Sequence, residues 1–189
     1  MNILTSLRNL FRPQHISSPE DKTWLRGLNA FEAGKKQSVA RRDQEAVASF
    51  DTAFQCGRSD PELFALRGSC LQTLEWHLDA IDDFTRAISL QPQDCNHYFS
   101  RAMSKRSSGD LEGFRADVRE AIRLAKLDNS ITRLYDEGAR DMGHRSTAAM
   151  YELQLLVSGD RPAFEAVRDA ERAKVKGRRP KSNDRDSSS

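Results

Sequence analysis

The sequence predicts an all-α chain, a solenoid of helix pairs stacked one on the next. Between Pro61 and Asp94, apolar residues fall at three- and four-residue steps. They are Leu63, Leu66, Cys70, Leu71 and Leu74, then Leu78, Ala80, Ile81, Phe84, Ala87, Ile88 and Leu90 after the polar break Glu75-Trp76-His77. That spacing reads as two amphipathic helices joined by a turn. A shift of 34 residues back turns Gly68, Ala80, Phe84 and Ala87 into Gly34, Ala46, Phe50 and Ala53; a shift forward gives Ala102, Phe114, Val118 and Ala121. A fixed, ungapped period of this length marks repeated helix pairs. The composition agrees: 38% hydrophobic and 31% charged residues suit helices with solvated outer faces.

The small residues have a physical purpose. Two helices approach closely only where small side chains face each other, as Gly68 and Ala80 can. A bulky residue such as Phe84 fills the space beside that contact, and Ala87 lets the next pair stack. A lone pair cannot bury its apolar face, because isolated helices of about 12–15 residues are marginal in water. Neighbouring pairs supply the missing cover.

Taken in order, residues 1–23 form a short helix and linker. Ile3, Leu7, Leu10 and Phe11 lie at helical spacing beside Arg8 and Arg12, and Pro13 interrupts. This segment docks on an exposed end of the solenoid, is a frayed terminus, or lies on a membrane surface. Ser18 and Asp21 offer a capping-box variant. Trp24 to Val39 is the first leading helix, with Trp24, Leu25, Leu28, Phe31 and Ala33 as core or groove candidates; Gln44 to Cys56 is its partner. Asp60 caps the next helix and Pro61 fits its first turn. Pro92 stops the helix after that. Asn96 to Ser107 leads the third pair, Asp110 caps its second helix, and Leu111 to Leu127 follows. Residues 129–158 read as a degenerate fourth pair: Gly143, Ala148 and Leu155 keep the interval, whereas Asp136 stands where a small residue is expected. A capping helix runs from Pro162 to about Val175, so 129–175 closes the stack. Residues 176–189 are a basic, serine-rich tail expected to be disordered.

Residues 27–126 resemble three tandem tetratricopeptide repeats, Gly27–Asp60, Pro61–Asp94 and Cys95–Asp128. The middle one carries Gly68, Leu71, Ala80, Phe84, Ala87 and Pro92 at family positions. The first has Arg58 where the family often has proline, and the third has Ala102 for glycine and Phe114 for a small residue. The resemblance implies a right-handed α-solenoid whose inner wall, built from the leading helices, binds a peptide or helix of another protein. Groove positions carried over one by one fall on Leu28, Phe31, Lys35, Ser38 and Val39, then on Glu62, Ala65, Ser69, Gln72 and Thr73, then on Asn96, Phe99, Met103, Arg106 and Ser107. Phe31, Lys35, Ser69, Gln72, Asn96, Phe99, Met103 and Arg106 are the groove candidates. The family's carboxylate clamp, which holds chaperone C-termini, would need Lys and Asn, Asn, then Lys and Arg; those places hold Phe31, Lys35, Leu66, Asn96 and Ser100. Chaperone-tail binding is therefore not expected.

No catalytic, cofactor or metal site is legible. His15, His77, His97 and His144 are scattered. Cys95 and His97 lack the second close pair that a zinc site uses, and no glycine-rich loop could cradle a phosphate. Asp79 and Asp83 share a helix face with Arg86 nearby, which reads as a solvated ion-pair face. The odd cysteine count, with Cys56, Cys70 and Cys95 scattered, argues against a disulfide framework, and Cys70 falls on an apolar stripe. Net charge is +2, from 30 Lys+Arg against 28 Asp+Glu, too balanced for the whole chain to be a nucleic-acid binder. Lys174, Lys176, Arg178, Arg179 and Lys181 form a basic cluster that could touch an anionic partner weakly. With no transmembrane run and no secretory signal, the expected setting is cytoplasmic. The expected role is non-enzymatic protein binding, with self-association through the ends of the stack as the structural alternative.

Overall fold

The structure, a computed structural model, describes residues 18–127 and 130–159 and the single positions 162, 165, 168 and 169. The N-terminal segment, most of the capping helix expected over 162–175 and the basic tail lie outside the described residues. The described residues form helices and turns, with no strand among them. No helix among them is long and apolar enough to cross a membrane. The chain divides into two compact units, one ending at Leu90 and the other starting at Gln91.

The first unit holds α1 (Pro19–Val39), α2 (Asp43–Gln55), α3 (Pro61–Thr73) and α4 (His77–Leu90). They form two hairpins, α1 with α2 and α3 with α4, and α3 also packs on α2. Ser18 and Asp21 close the capping box: the Asp21 N–H donates to Ser18 Oγ at 3.0 Å, and the Ser18 N–H donates to Asp21 at 3.3 Å. Asp60 accepts from the Leu63 N–H at 3.1 Å, with Pro61 just behind it. The core joins Phe31 of α1, Ala46, Phe50 and Ala53 of α2, and Leu63 and Cys70 of α3. Leu71, Ala80 and Phe84 continue it, with Val47 packed against them. Leu78 and Leu90, on the predicted apolar run, are 72% and 50% exposed.

Gly34 and Gly68 lie at helix crossings, as the interval requires. A Cβ on Gly34 would sit 2.7 Å from Phe50 Cε1, and one on Gly68 would sit 3.0 Å from Phe84 Cε1. Ala102, the third member of the series, is fully buried in the other unit.

That second unit holds α5 (Cys95–Ser107), α6 (Leu111–Ala125), α7 (Ser130–Asp141) and α8 (Thr147–Val157). α5 and α6 form a hairpin. Asp94 caps α5 by accepting from the Asn96 N–H, and Asp110 caps α6 by accepting from the Gly113 N–H. α6 ends at Ala125, one half-turn short of the Leu127 expected from sequence. Phe114, the departure from the small-residue pattern, is buried in the core with Ala102, Val118, Ala121 and Ile122.

The fourth pair keeps its register but reverses its roles. In the first unit the leading helix α3 packs on the preceding hairpin. Here α8, the second helix of its pair, does so, contributing Ala148, Tyr151 and Leu155 to the core. The apolar sequence of α8, TAAMYELQLLV, explains this; α7, SITRLYDEGARD, has too few apolar positions to compete. Asp136 is out of place for close packing and instead accepts from the Thr147 N–H at 2.7 Å, holding the start of α8.

The 34-residue interval also appears in the backbone. Arg41, Glu75, Gly109 and Gly143, each 34 after the last, all have positive φ, at 59°, 62°, 91° and 85°. Each follows a leading helix and closes it in the same way: the next residue's N–H reaches back, as Trp76 does to the Leu71 carbonyl at 2.9 Å, in a Schellman arrangement. Arg41 and Glu75 adopt a left-handed conformation that disfavours any side chain with a Cβ. Glu75→Gly is expected to stabilise the protein by about 0.5–1 kcal/mol, relief of that strain outweighing the extra freedom of glycine in the unfolded chain. Thermal or urea denaturation monitored by circular dichroism checks the sign.

Candidate functional site

Helix pairing in both units depends on buried charge. In the first unit Arg67 of α3 donates Nε and Nη2 to the two oxygens of Asp83 on α4, at 2.7 and 2.6 Å, and Nη1 to Asp51 of α2 at 2.5 Å. The Asp83 side chain is 2% exposed. The hydrogen bonds that Arg67 donates to Asp83 do most to hold the Arg67 pKa above its ordinary value. Asp83 is therefore not part of a solvated face with Arg86; only a partner on the neighbouring helix makes its burial tolerable. In the second unit Arg101 binds Asp117 with the same two-pronged geometry, at 2.8 and 2.7 Å, and Lys105 adds a contact at 2.9 Å. Arg101 and Asp117 lie 34 residues after Arg67 and Asp83. In the first hairpin the same places are Ala33 and Ser49, and a 2.7 Å hydrogen bond between Gln37 and Ser49 links the helices instead.

The predicted groove candidates of the first unit separate into core and surface. Phe31 is a core residue, 2% exposed, its ring 5.8 Å from that of Phe50. The Arg58 guanidinium lies 3.5 Å from the Phe31 centroid. Arg58, the departure from the family's proline, thus covers one face of that ring while it pairs with Asp60 at 2.6 Å. Lys35 is half-exposed and reaches Glu62 at 3.2 Å, which brings a groove position of α1 beside one of α3. Ser69 is exposed and Gln72 half-buried on α3. The Ser69 hydroxyl donates to the Ala65 carbonyl at 2.9 Å, and Thr73 donates to the Ser69 carbonyl at 3.1 Å. With those protons spent, the outward lone pairs of both hydroxyls can accept. Trp24 is 65% exposed and belongs to neither core nor wall.

In the second unit Asn96, Phe99, Met103 and Arg106 are all half-buried along α5. Phe99 stacks on Tyr151 of α8 with centroids 4.1 Å apart and planes 16° apart. Arg106 lies 5.6 Å over the Phe114 ring and 3.4 Å from Gln154 Oε1. α8 therefore covers part of the α5 face that carries these candidates. That Tyr151 and Gln154 would be their neighbours was not legible, since it depends on that reversal. Met103 packs against the core with its flank open, a polarisable surface that adapts to irregular apolar side chains.

Cys70 and Cys95 are buried, whereas Cys56 is half-buried. Burial pushes the Cys95 thiol up to about 11 and also raises the Cys70 thiol. Tyr135 donates to Asp94 Oδ2 at 3.0 Å, which ties α7 to the start of α5. The His97 imidazole is 7% exposed, with Nε2 3.6 Å from the same oxygen and neither ring nitrogen hydrogen-bonded. Burial lowers its pKa, and the Asp94 charge opposes that in part. An unfolded histidine binds a proton near pH 6.5 while the folded one resists. This contribution is thus complete above about pH 6.5 and falls as the pH drops below it. Urea midpoints measured from pH 7.5 to 5.5 are expected to decline, and His97→Gln to flatten the slope. Among the described residues no group of three or more His, Cys, Asp or Glu side chains could hold a metal ion.

No protein-family model matches the sequence, and no curated protein does. Solved structures do resemble it. A T3SS complex from Aeromonas hydrophila superposes with a TM-score of 0.58 at 21% identity, covering 76% of this chain and 83% of that one. PcrH in complex with the chaperone binding region of PopB gives 0.54 at 19% identity, over 66% of this chain and 97% of that one. The first TPR of Spaghetti (RPAP3), bound to the HSP90 peptide SRMEEVD, gives 0.51 at 19%, over 64% and 92%. At these identities the likeness establishes the fold: helix hairpins of the tetratricopeptide-repeat type.

Proposed function

We infer that the chain is a non-enzymatic protein-interaction module that holds a peptide or helical segment of another protein against its leading helices. The observation that carries this reading is the division of labour within the hairpins. The buried charges Arg67, Asp83, Arg101 and Asp117 fasten helix to helix. The side chains of Lys35, Ser69, Gln72, Asn96 and Met103 are exposed or half-buried along α1, α3 and α5. Structures of the same fold are complexed with protein segments, PopB for PcrH and an HSP90 peptide for Spaghetti. In the first unit α3 favours hydrogen-bond donors of a bound segment at Ser69 and Thr73; in the second, Met103 of α5 offers a surface for a small apolar anchor. The first unit does not favour a C-terminal carboxylate, because Lys35 is already engaged by Glu62 and Glu32.

The test is photo-crosslinking from a reactive amino acid placed at Ser69 on α3 or, as a control, at Ser89 on the exposed side of α4. Capture of a protein from Ser69 but not from Ser89 is expected, with Ser69→Arg abolishing binding and leaving the melting temperature within about 1–2 °C, as a surface change should. Equal capture from both faces would overturn the assignment.

A further inference from the structure

The Arg67–Asp83 pair recurs one interval on as Arg101–Asp117, so helix pairing accounts for it. It does not account for what surrounds the pair in the first unit. Arg67 and Asp83 line a hollow of about 320 Å³ together with the apolar Val47, Leu71 and Trp76 and the carboxylates of Asp51, Asp79 and Asp82. That is the size of a small ligand pocket, room for one long side chain and not for a helix. None of the groove candidates lines it. Nor does packing demand the added groups. The places of Trp76 and Asp82 hold Arg42 and Ala48 one interval back, and Asp110 and Ala116 one interval on. Trp76 is nevertheless presented here with its indole 47% exposed. The charge in the hollow is unbalanced: four carboxylates stand against the guanidinium groups of Arg67 and Arg86. Arg67 is committed to Asp83 and Asp51. Arg86 stands over the Phe54 and Phe64 rings, 5.8 and 5.5 Å from their centroids. Among the described residues Asp79 and Asp82 have no ion-pair partner.

We propose that this hollow seats an arginine side chain of a partner protein, its guanidinium lying on the Trp76 indole and its N–H groups directed at Asp79 and Asp82. Three features select that occupant. The excess of negative charge calls for a cation. An indole is the aromatic face that attracts a cation most strongly. A guanidinium answers both at once, because its plane stacks on the ring while its fork of donors matches a carboxylate; a lysine ammonium is a more strongly hydrated point charge and does only the second. Val47 and Leu71 offer apolar surface to the methylene stem. The carboxylates of Asp79 and Asp82 are exposed, so the contact contributes specificity and a salt-sensitive rate of association more than raw affinity. It is a second contact surface, and it does not depend on what the leading helices bind.

The chain has two tryptophans, so Trp24→Phe leaves Trp76 as the sole reporter. The full-length W24F protein is titrated with a capped Gly-Arg repeat peptide and with its lysine and citrulline counterparts. The arginine peptide is expected to change the Trp76 emission saturably, the lysine peptide to bind severalfold more weakly, and the neutral citrulline peptide not to bind. Asp79→Asn with Asp82→Asn should weaken the arginine peptide about tenfold and leave the melting temperature in place, since both side chains are exposed. Glu137→Gln with Asp141→Asn removes the same charge from the exposed side of α7 and should leave binding unchanged. Undiminished binding to the Asp79/Asp82 variant would overturn the proposal, as would an equal loss in the α7 control, which would mark a general attraction between opposite charges. Equal binding of the lysine or citrulline peptide would overturn it too. So would displacement of the peptide by calcium at constant ionic strength, which would mark a metal site in its place.

Discussion

Asp83→Ala is expected to destabilise the protein by about 3–5 kcal/mol, enough to leave a small helical domain largely unfolded at ambient temperature. The aspartate side chain is 2% exposed and takes two charged hydrogen bonds from Arg67. Its removal leaves a guanidinium 13% exposed with only Asp51 for company. The penalty comes from the stranded charge more than from the lost bond. Asp82→Ala on the same helix touches an exposed carboxylate and should stay within about 0.5 kcal/mol. Chemical denaturation of the two variants side by side checks this, and similar losses would mean that the Arg67 pair is ordinary surface charge.

Gly34→Ala should destabilise although alanine is the better helix former. The added Cβ would lie 2.7, 2.8 and 3.0 Å from three atoms of the Phe50 ring. Phe50 is fully buried and cannot swing away. Overpacking of this kind costs about 1–3 kcal/mol, against about 1 kcal/mol gained in helix propensity, so a net loss of up to about 2 kcal/mol is expected. Gly138→Ala in α7 is the matched contrast: a Cβ there meets nothing within 4 Å. It should stabilise by about 1 kcal/mol. Opposite signs for one substitution at two helical glycines would separate crossing geometry from propensity.

The hairpins were legible because a crossing tolerates so few side chains. Gly34 and Gly68, with Ala46, Ala80 and Ala102, each mark a contact whose spacing the repeat fixes, and the structure buries all five. The charged pairs were less visible. Asp83 shares a helix face with Asp79, and helical periodicity alone cannot tell a solvated carboxylate from one paired sixteen residues away on the facing helix. The signal was present in the repeat: Arg67 and Asp83 recur as Arg101 and Asp117. The wall was legible in part. Lys35 and Ser69 stand on the surface, where carried-over positions put them. Phe31 does not, because Arg58 folds over its ring, and a single arginine in a loop gives no hint of where its side chain will lie. The engagement of Phe99 by Tyr151 depends on α8 giving more of its side chains than α7 to the core of the third hairpin, which follows the relative apolarity of the two helices.

The account as a whole depends on Gly34 being small because the Phe50 ring occupies the space in front of it, and a double-mutant cycle between the two measures that directly. Phe50→Leu removes Cε1 and Cζ, two of the three atoms that a new Cβ would meet. Measured by urea denaturation, Gly34→Ala should lose stability in the natural background and be neutral or stabilising in the Phe50→Leu background, a coupling of about 1–2 kcal/mol. Strict additivity, with Gly34→Ala giving the same change in both backgrounds, would contradict it.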